Sequence, residues 1–98
     1  MQFQFEPEAT EELEEAAAYL DEQSSRLGER FLAEVESARQ LMERFPRSGS
    51  PLRGALRRTM LRTFPYQLIY RVEGDLIRIY AVAYLKRRSG YWRKRLQR

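Results

Sequence analysis

Two runs near the end of the chain, "YQLIYRV" at 66–72 and "LIRIYAVAY" at 76–84, constrain it more than any other feature. Aromatic, β-branched and basic residues interleave in this part of the chain, and valine, isoleucine and tyrosine dominate, which suits a pleated strand better than a helix. Gly74 and Asp75 lie between them. Glycine reaches positive φ without steric cost, so the pair predicts a two-residue turn and the runs a β-hairpin. That register sets Val72 against Ile77, Tyr70 against Ile79 and Leu68 against Ala81 on one apolar face. On the other face Arg71 opposes Arg78, Ile69 opposes Tyr80 and Gln67 opposes Val82. Like charges directly opposed on a sheet repel, so this face is either splayed into solvent or built for an anion.

The other elements follow from spacing. "MQFQF" alternates Met1, Phe3 and Phe5 with glutamines and predicts a strand. Pro7 suits the first turn of a helix, and Glu8, Glu11 and Glu12 follow where the helix dipole favours carboxylates. Leu13, Ala16, Ala17 and Leu20 form a narrow apolar stripe on that helix. A break at 23–25 precedes a second helix carrying Leu27, Phe31, Val35, Ala38, Met42 and Phe45 at steps of three and four. Pro46 and "PRSGSP" end it. "ALRRTMLRTF" reads as a strand, and "SGYWRKRLQR" as a short basic helix or a tail. The order β-α-α-β-β-β predicts an α+β fold: a helical hairpin packed on one face of a small, mainly antiparallel four-stranded sheet, with the opposite face open. Phe31, Val35 and Met42 are expected to pack on Leu68, Tyr70 and Ile79. At 98 residues this is a single domain, 1–98, with one modest core.

Charge is divided unevenly along the chain. Residues 1–45 carry twelve acidic and four basic side chains, while residues 46–98 carry two acidic and fourteen basic ones, a balance of −8 against +12. The positive excess is larger than the acidic half can pair, so the C-terminal half is expected to face a polyanion or an acidic protein surface. The N-terminus has no basic n-region or apolar h-region, and no apolar run approaches the ~20 residues that span a bilayer. The expectation is a soluble cytoplasmic protein with no membrane partner.

Histidine and cysteine are both absent. Ser-His and Cys-His nucleophiles and ordinary zinc sites are therefore ruled out. The spacing in "EPEATEELEE" suits a solvated helix face more than a metal site, and "RSGSPLRG" lacks the strand-to-helix setting of a phosphate loop. What remains is arginine with tyrosine. Arg57, Arg58, Arg62, Arg71, Arg78, Lys86, Arg87 and Arg88, together with Tyr80, Tyr84 and Tyr91, offer forked donors for phosphate or carboxylate and rings for stacking. The alternative is an ordinary strand face whose tyrosines pack and whose arginines lie along it with their heads in water.

The stretch "LRTFPYQLIYRVEGDLIRIYAVAYLKRRSGYW", preceded by "FEPEATEEL" and by a helical hairpin ending in "ERFPRSGSPLRG", resembles the RelE/ParE superfamily of toxins from bacterial type II toxin–antitoxin systems. The resemblance covers nearly the whole chain. It implies a toxin neutralised by a cognate antitoxin; from the residues themselves no cofactor and no metal are expected. RelE-like members cleave mRNA in the ribosome, and ParE-like members poison DNA gyrase. Ribonuclease chemistry without histidine needs several cations around one phosphate, with a tyrosine or lysine assisting proton transfer. The residues that could serve are Arg58, Arg62, Arg87, Tyr84 and Tyr91. In RelE-like ribonucleases a basic residue follows the tyrosine that opens the third strand. Here Gln67 follows Tyr66, and Met60 stands where a second-strand lysine would fall, although Arg58 and Arg87 keep charge at two other matching places. Many ParE-like chains have histidine where this one has Tyr84 and proline where it has Ser89. "FPYQLIYRV" and "RRSGYW" nevertheless look more like ParE. The expectation is a non-enzymatic toxin that binds DNA gyrase, with Arg57, Arg71, Arg78, Tyr80, Lys86, Arg88 and Trp92 meeting target or antitoxin. A RelE-like endoribonuclease acting on ribosome and mRNA, and a small basic RNA-binding or inactive family member, are the alternatives.

Overall fold

The computed structural model describes residues 1–97. Strand β1, Gln2–Phe5, leads into helix α1, Pro7–Gln23, which begins on Pro7 as its first residue. A left-handed Arg26 then turns the chain into helix α2, Leu27–Arg44. The two helices lie close where α2 begins. A Cβ on Gly28 would collide with the carbonyl oxygen of Ala17. The Gly28 N–H instead donates to Asp21 Oδ1 at 2.7 Å, which locks the helical hairpin at its tip.

The remaining strands are β2, Ser50–Pro51; β3, Leu56–Met60; β4, Tyr66–Glu73; and β5, Leu76–Tyr84. They form one five-stranded sheet in the order β1-β5-β4-β3-β2, antiparallel except where β1 runs parallel to β5. The expected architecture is therefore observed with one strand more than four. The addition is β2, pairing Ser50 with Arg58 and Pro51 with Arg57. Its cause is tertiary. The buried Tyr70 hydroxyl accepts from the Gly49 N–H at 2.9 Å and donates to the Pro46 carbonyl at 3.0 Å, drawing the loop onto the sheet edge.

Glu73 and Leu76 close the hairpin around Gly74, whose φ is +59°, so the expected turn is present. Val72–Ile77, Arg71–Arg78 and Tyr70–Ile79 pair as the register predicts. Beyond them it shifts. Ile69 pairs with Ala81, Leu68 with Val82, Gln67 with Ala83 and Tyr66 with Tyr84, leaving Tyr80 as the extra residue of a β-bulge. The expected pairs Leu68–Ala81, Ile69–Tyr80 and Gln67–Val82 are thus corrected by one position, because a bulge puts two consecutive residues on the same face.

The helices cover the face carrying Leu68, Tyr70, Ile77, Ile79 and Val82, where Phe31, Val35 and Met42 pack as expected. Phe31 is fully buried and meets Phe64 edge-on at 5.4 Å and Tyr66 at 5.1 Å. Phe45, expected to continue the stripe, lies just past the end of α2 and is exposed. The opposite face is not open. Leu56, Ile69, Tyr80, Ala81 and Ala83 form a second core beneath Trp92, with Tyr91 and Leu96 against it. A 3₁₀ turn, Arg93–Gln97, follows Trp92, so the terminal segment is a lid and not a tail. Tyr80 and Ala81 both face this side because of the bulge, which supplies the apolar floor that alternation alone does not.

Candidate functional site

The arginine pair at the turn of the hairpin finds its anion inside the molecule. Arg71 donates through Nε and Nη2 to Glu73 Oε2 at 2.8 and 2.6 Å, and through Nη2 to the Tyr80 hydroxyl at 2.7 Å. Arg78 donates to Glu73 Oε1 at 3.1 Å and to the buried Glu6 at 3.0 Å, and the Tyr80 hydroxyl donates to Glu73 Oε2 at 3.0 Å. Hydrogen bonds from Arg71, then from Tyr80 and Arg78, hold the Glu73 carboxyl below the usual carboxylate range. Burial, and then donation to Glu73, push the Tyr80 phenol up. Two carboxylates and two guanidiniums balance, so Arg71, Arg78 and Tyr80 form a neutral cluster that removes the repulsion between opposed arginines.

A second anchor is Glu12 on α1. Its Oε2 accepts from the Tyr91 hydroxyl at 2.6 Å, from Arg95 at 3.0 Å and from Arg87 at 3.4 Å. Its Oε1 accepts from the Val82 N–H and from Arg95, both at 3.0 Å, while Arg95 also donates to the Tyr80 carbonyl at 2.9 Å. Strand β1 pairs with β5 only as far as Ile79, so Glu12 and Arg95 satisfy backbone groups of β5 where its neighbour has ended. The Arg87 guanidinium lies 3.7 Å over the Tyr91 ring. Burial, reinforced by the bond to Glu12, raises the Tyr91 phenol well above its ordinary value. Burial works against the Arg95 charge, but Glu12 outweighs it and raises that group.

Glu34 on α2 makes a third anchor, accepting from the Thr63 N–H at 2.8 Å and pinning the loop between β3 and β4. Burial opposes its charge, yet hydrogen bonds from Thr63, Arg62 and Phe64 bring its carboxyl below the ordinary value. Glu6, Glu12 and Glu34 are not among the candidate site residues read from sequence, where Glu12 figures only as a carboxylate near the start of the first helix. Each sits among many glutamates, and composition gives no sign of which one turns inward.

Of the five residues of the ribonuclease alternative, the structure brings Tyr84, Arg87 and Tyr91 near one another and sets Arg58 and Arg62 apart. Tyr84 and Arg87 line a small cleft with Glu12 and Tyr66, Arg58 lines another with Leu41 and Met60, and Arg62 lines a third with Arg30 and Glu34. Tyr91 joins Arg87 only through Glu12 and its ring. Gln67 is buried on β4, its Oε1 unpartnered among the described residues. Arg57 is committed to the Arg47 and Gly49 carbonyls at 3.0 and 2.8 Å. Lys86 and Arg88 are exposed in the segment after β5. Trp92 is buried in the second core, yet its outer side lines an apolar cleft of about 690 Å³ with Leu52, Leu56 and Leu96, flanked by Arg53 and Arg93. Sequence reading named Trp92 without the leucines, which come from distant segments. Among the described residues no group of histidine, cysteine, aspartate or glutamate has a metal-holding arrangement, and no helix is long and apolar enough to cross a membrane.

The fold is similar to a solved structure described as the chromosomal ParDE TA system from P. aeruginosa, with a TM-score of 0.78 at 14% identity, covering 88% of this chain and 97% of that one. No curated protein matches. The family model described as "ParE toxin of type II toxin-antitoxin system, parDE" matches residues 3–89, which span both helices and the whole sheet apart from Gln2. The chain therefore belongs to the ParE toxin family of type II toxin–antitoxin systems.

Proposed function

We propose that this toxin arrests growth in the cytoplasm by binding DNA gyrase, without chemistry of its own, and that a cognate antitoxin neutralises it. The observation that carries the choice over a ribosome-dependent ribonuclease is the separation of Arg58, Arg62 and Arg87 into three different clefts. Cleavage of RNA through its 2′-hydroxyl needs cations converging on one phosphate, and these three arginines line separate clefts. Gln67 and Met60 add no charge where a nuclease would use it. Arg58, Arg62, Lys86 and Arg88, exposed and without an ion-pair partner among the described residues, suit a binding surface instead.

The antitoxin seat in this reading is the cleft of Trp92, Leu52 and Leu96 with Arg53 and Arg93 at its rim. Apolar anchors with flanking cations fit an amphipathic acidic segment that orders on binding. The experiment uses purified toxin freed of antitoxin in two assays. Trapping of gyrase on DNA, with mRNA in a programmed ribosome left intact, is expected. Codon-dependent mRNA cleavage that disappears in Arg87→Ala, with gyrase supercoiling unaffected by the parent, would overturn the reading.

A further inference from the structure

The cleft between α1 and the far end of the hairpin has a composition that the toxin reading does not use. Three tyrosines from three elements face it: Tyr19 of α1, Tyr66 of β4 and Tyr84 of β5. The Tyr66 and Tyr84 rings are a directly opposed cross-strand pair, 5.4 Å apart and tilted by 52°. Tyr19 is 55% exposed and Tyr84 37% exposed, so two of the three rings are open to an incoming group. None of the three hydroxyls has a hydrogen-bond partner among the described residues. Burial raises the Tyr66 phenol first, and the neighbouring Tyr84 and Tyr19 raise it further.

The charge beside these rings is negative. Helix α1 carries seven acidic residues and no basic one. Glu12 is consumed by Arg87, Tyr91 and Arg95, but Glu15, one turn before Tyr19, is exposed and without a partner among the described residues. Aromatic faces attract cations through the ring quadrupole, and an unpaired carboxylate at the rim adds a full charge. A phosphate or nucleic acid would meet the acidic helix and be repelled. The protein already shows the preferred contact next door, where Arg87 lies 3.7 Å over Tyr91. Arg87 itself bounds the cleft but is turned toward Glu12 and Tyr91, leaving the exposed Tyr19 and Tyr84 rings free.

We propose that the cleft of Tyr19, Tyr66 and Tyr84, with Glu15 at its rim, is a docking site for an arginine or lysine side chain presented by a protein partner. It lies on the acidic side of a molecule whose C-terminal half is basic, and it calls for a partner segment of charge opposite to the one that the Trp92 cleft takes. The site therefore stands or falls independently of the gyrase reading.

The test follows tyrosine ring signals by NMR during titration with N-acetyl-arginine amide, with N-acetyl-glutamate amide and uridine 5′-monophosphate as controls at equal ionic strength. Saturable shifts are expected at Tyr19, Tyr66 and Tyr84 with the arginine probe, leaving the other three of the six tyrosines unmoved. Glu15→Gln and Tyr84→Ala should each weaken the arginine probe about three-fold, the size expected of one exposed ring or one surface charge. Linear, unsaturable shifts, equal shifts at all tyrosines, or a stronger response to the nucleotide would overturn the proposal. If Tyr84→Ala perturbs the fold, Glu15→Gln decides alone, and unchanged affinity in that surface variant is a refutation.

Discussion

Phe31 shows how much one side chain carries here. It is fully buried at the centre of the main core and touches two aromatic rings, Phe64 edge-on and Tyr66 tilted. Truncation to alanine removes that packing and leaves a cavity among residues held by both a helix and a strand. A loss on the order of 3 kcal/mol is expected, severe in a domain of ordinary stability, and urea denaturation of Phe31→Ala against the parent measures it. Stability equal to the parent's would show that Phe31 is not a keystone. Tyr70 works differently at the same scale, since its ring fills the core while its hydroxyl organises the 46–51 loop. Both residues were legible as core from periodicity. The second role of Tyr70 was not, because its partners are backbone groups more than twenty positions away.

At the scale of elements, the decisive join is between α1 and the terminal segment. Glu12 gathers Arg87, Tyr91 and Arg95, and so holds the Trp92 lid on the second core. Glu12→Ala leaves those donors without their shared acceptor while leaving the main core untouched. Hydrogen exchange should then speed up at the Val82 amide, which donates to Glu12, and at Arg93 and Arg95, whose amides hold the terminal turn. Amides of Leu68 and Ile77, under the helices, should keep their protection. Uniform acceleration, or none, would mean that the lid is held by Trp92 packing alone. The bulge at Tyr80 belongs to this scale too. An alternating pattern carries no mark of an extra residue, so the sequence places Tyr80 in register, whereas the fold uses it to bring two successive residues under the lid.

For the whole molecule, stability should be flat through neutral pH and fall at both ends. Histidine and cysteine, the side chains that ordinarily titrate nearest neutrality, are absent. On the acid side, Glu73 is lowered first by Arg71, Glu36 first by Arg39, and Glu34 by its loop amides against an opposing burial. Their folded values lie below the unfolded 4.5, so the native state binds fewer protons than the unfolded chain. The stability they supply is present above that value and is lost as pH falls through the folded ones. On the alkaline side Tyr66, Tyr80 and Tyr91 are raised, chiefly by burial, above an unfolded value of 10.0. The native state keeps protons that the unfolded chain releases, so stability is lost as pH rises past that point. Thermal unfolding across the range should give a plateau with a fall on each side, and a steady slope through neutrality would contradict these assignments.

Local sequence determined the two helices, the Gly74–Asp75 turn, the helix-facing stripe of the sheet and the absence of histidine and cysteine chemistry, because each depends on spacing within a few residues or on composition. It also carried the resemblance to the toxin family. Tertiary structure alone decided which glutamates turn inward, that Arg71 and Arg78 share Glu73 and Glu6, and that Trp92 closes the second face. The physical reason is common to all three. A carboxylate chooses its cations, and a lid its floor, among groups that lie far apart in the chain and meet only after the sheet has formed, so no local period records the choice.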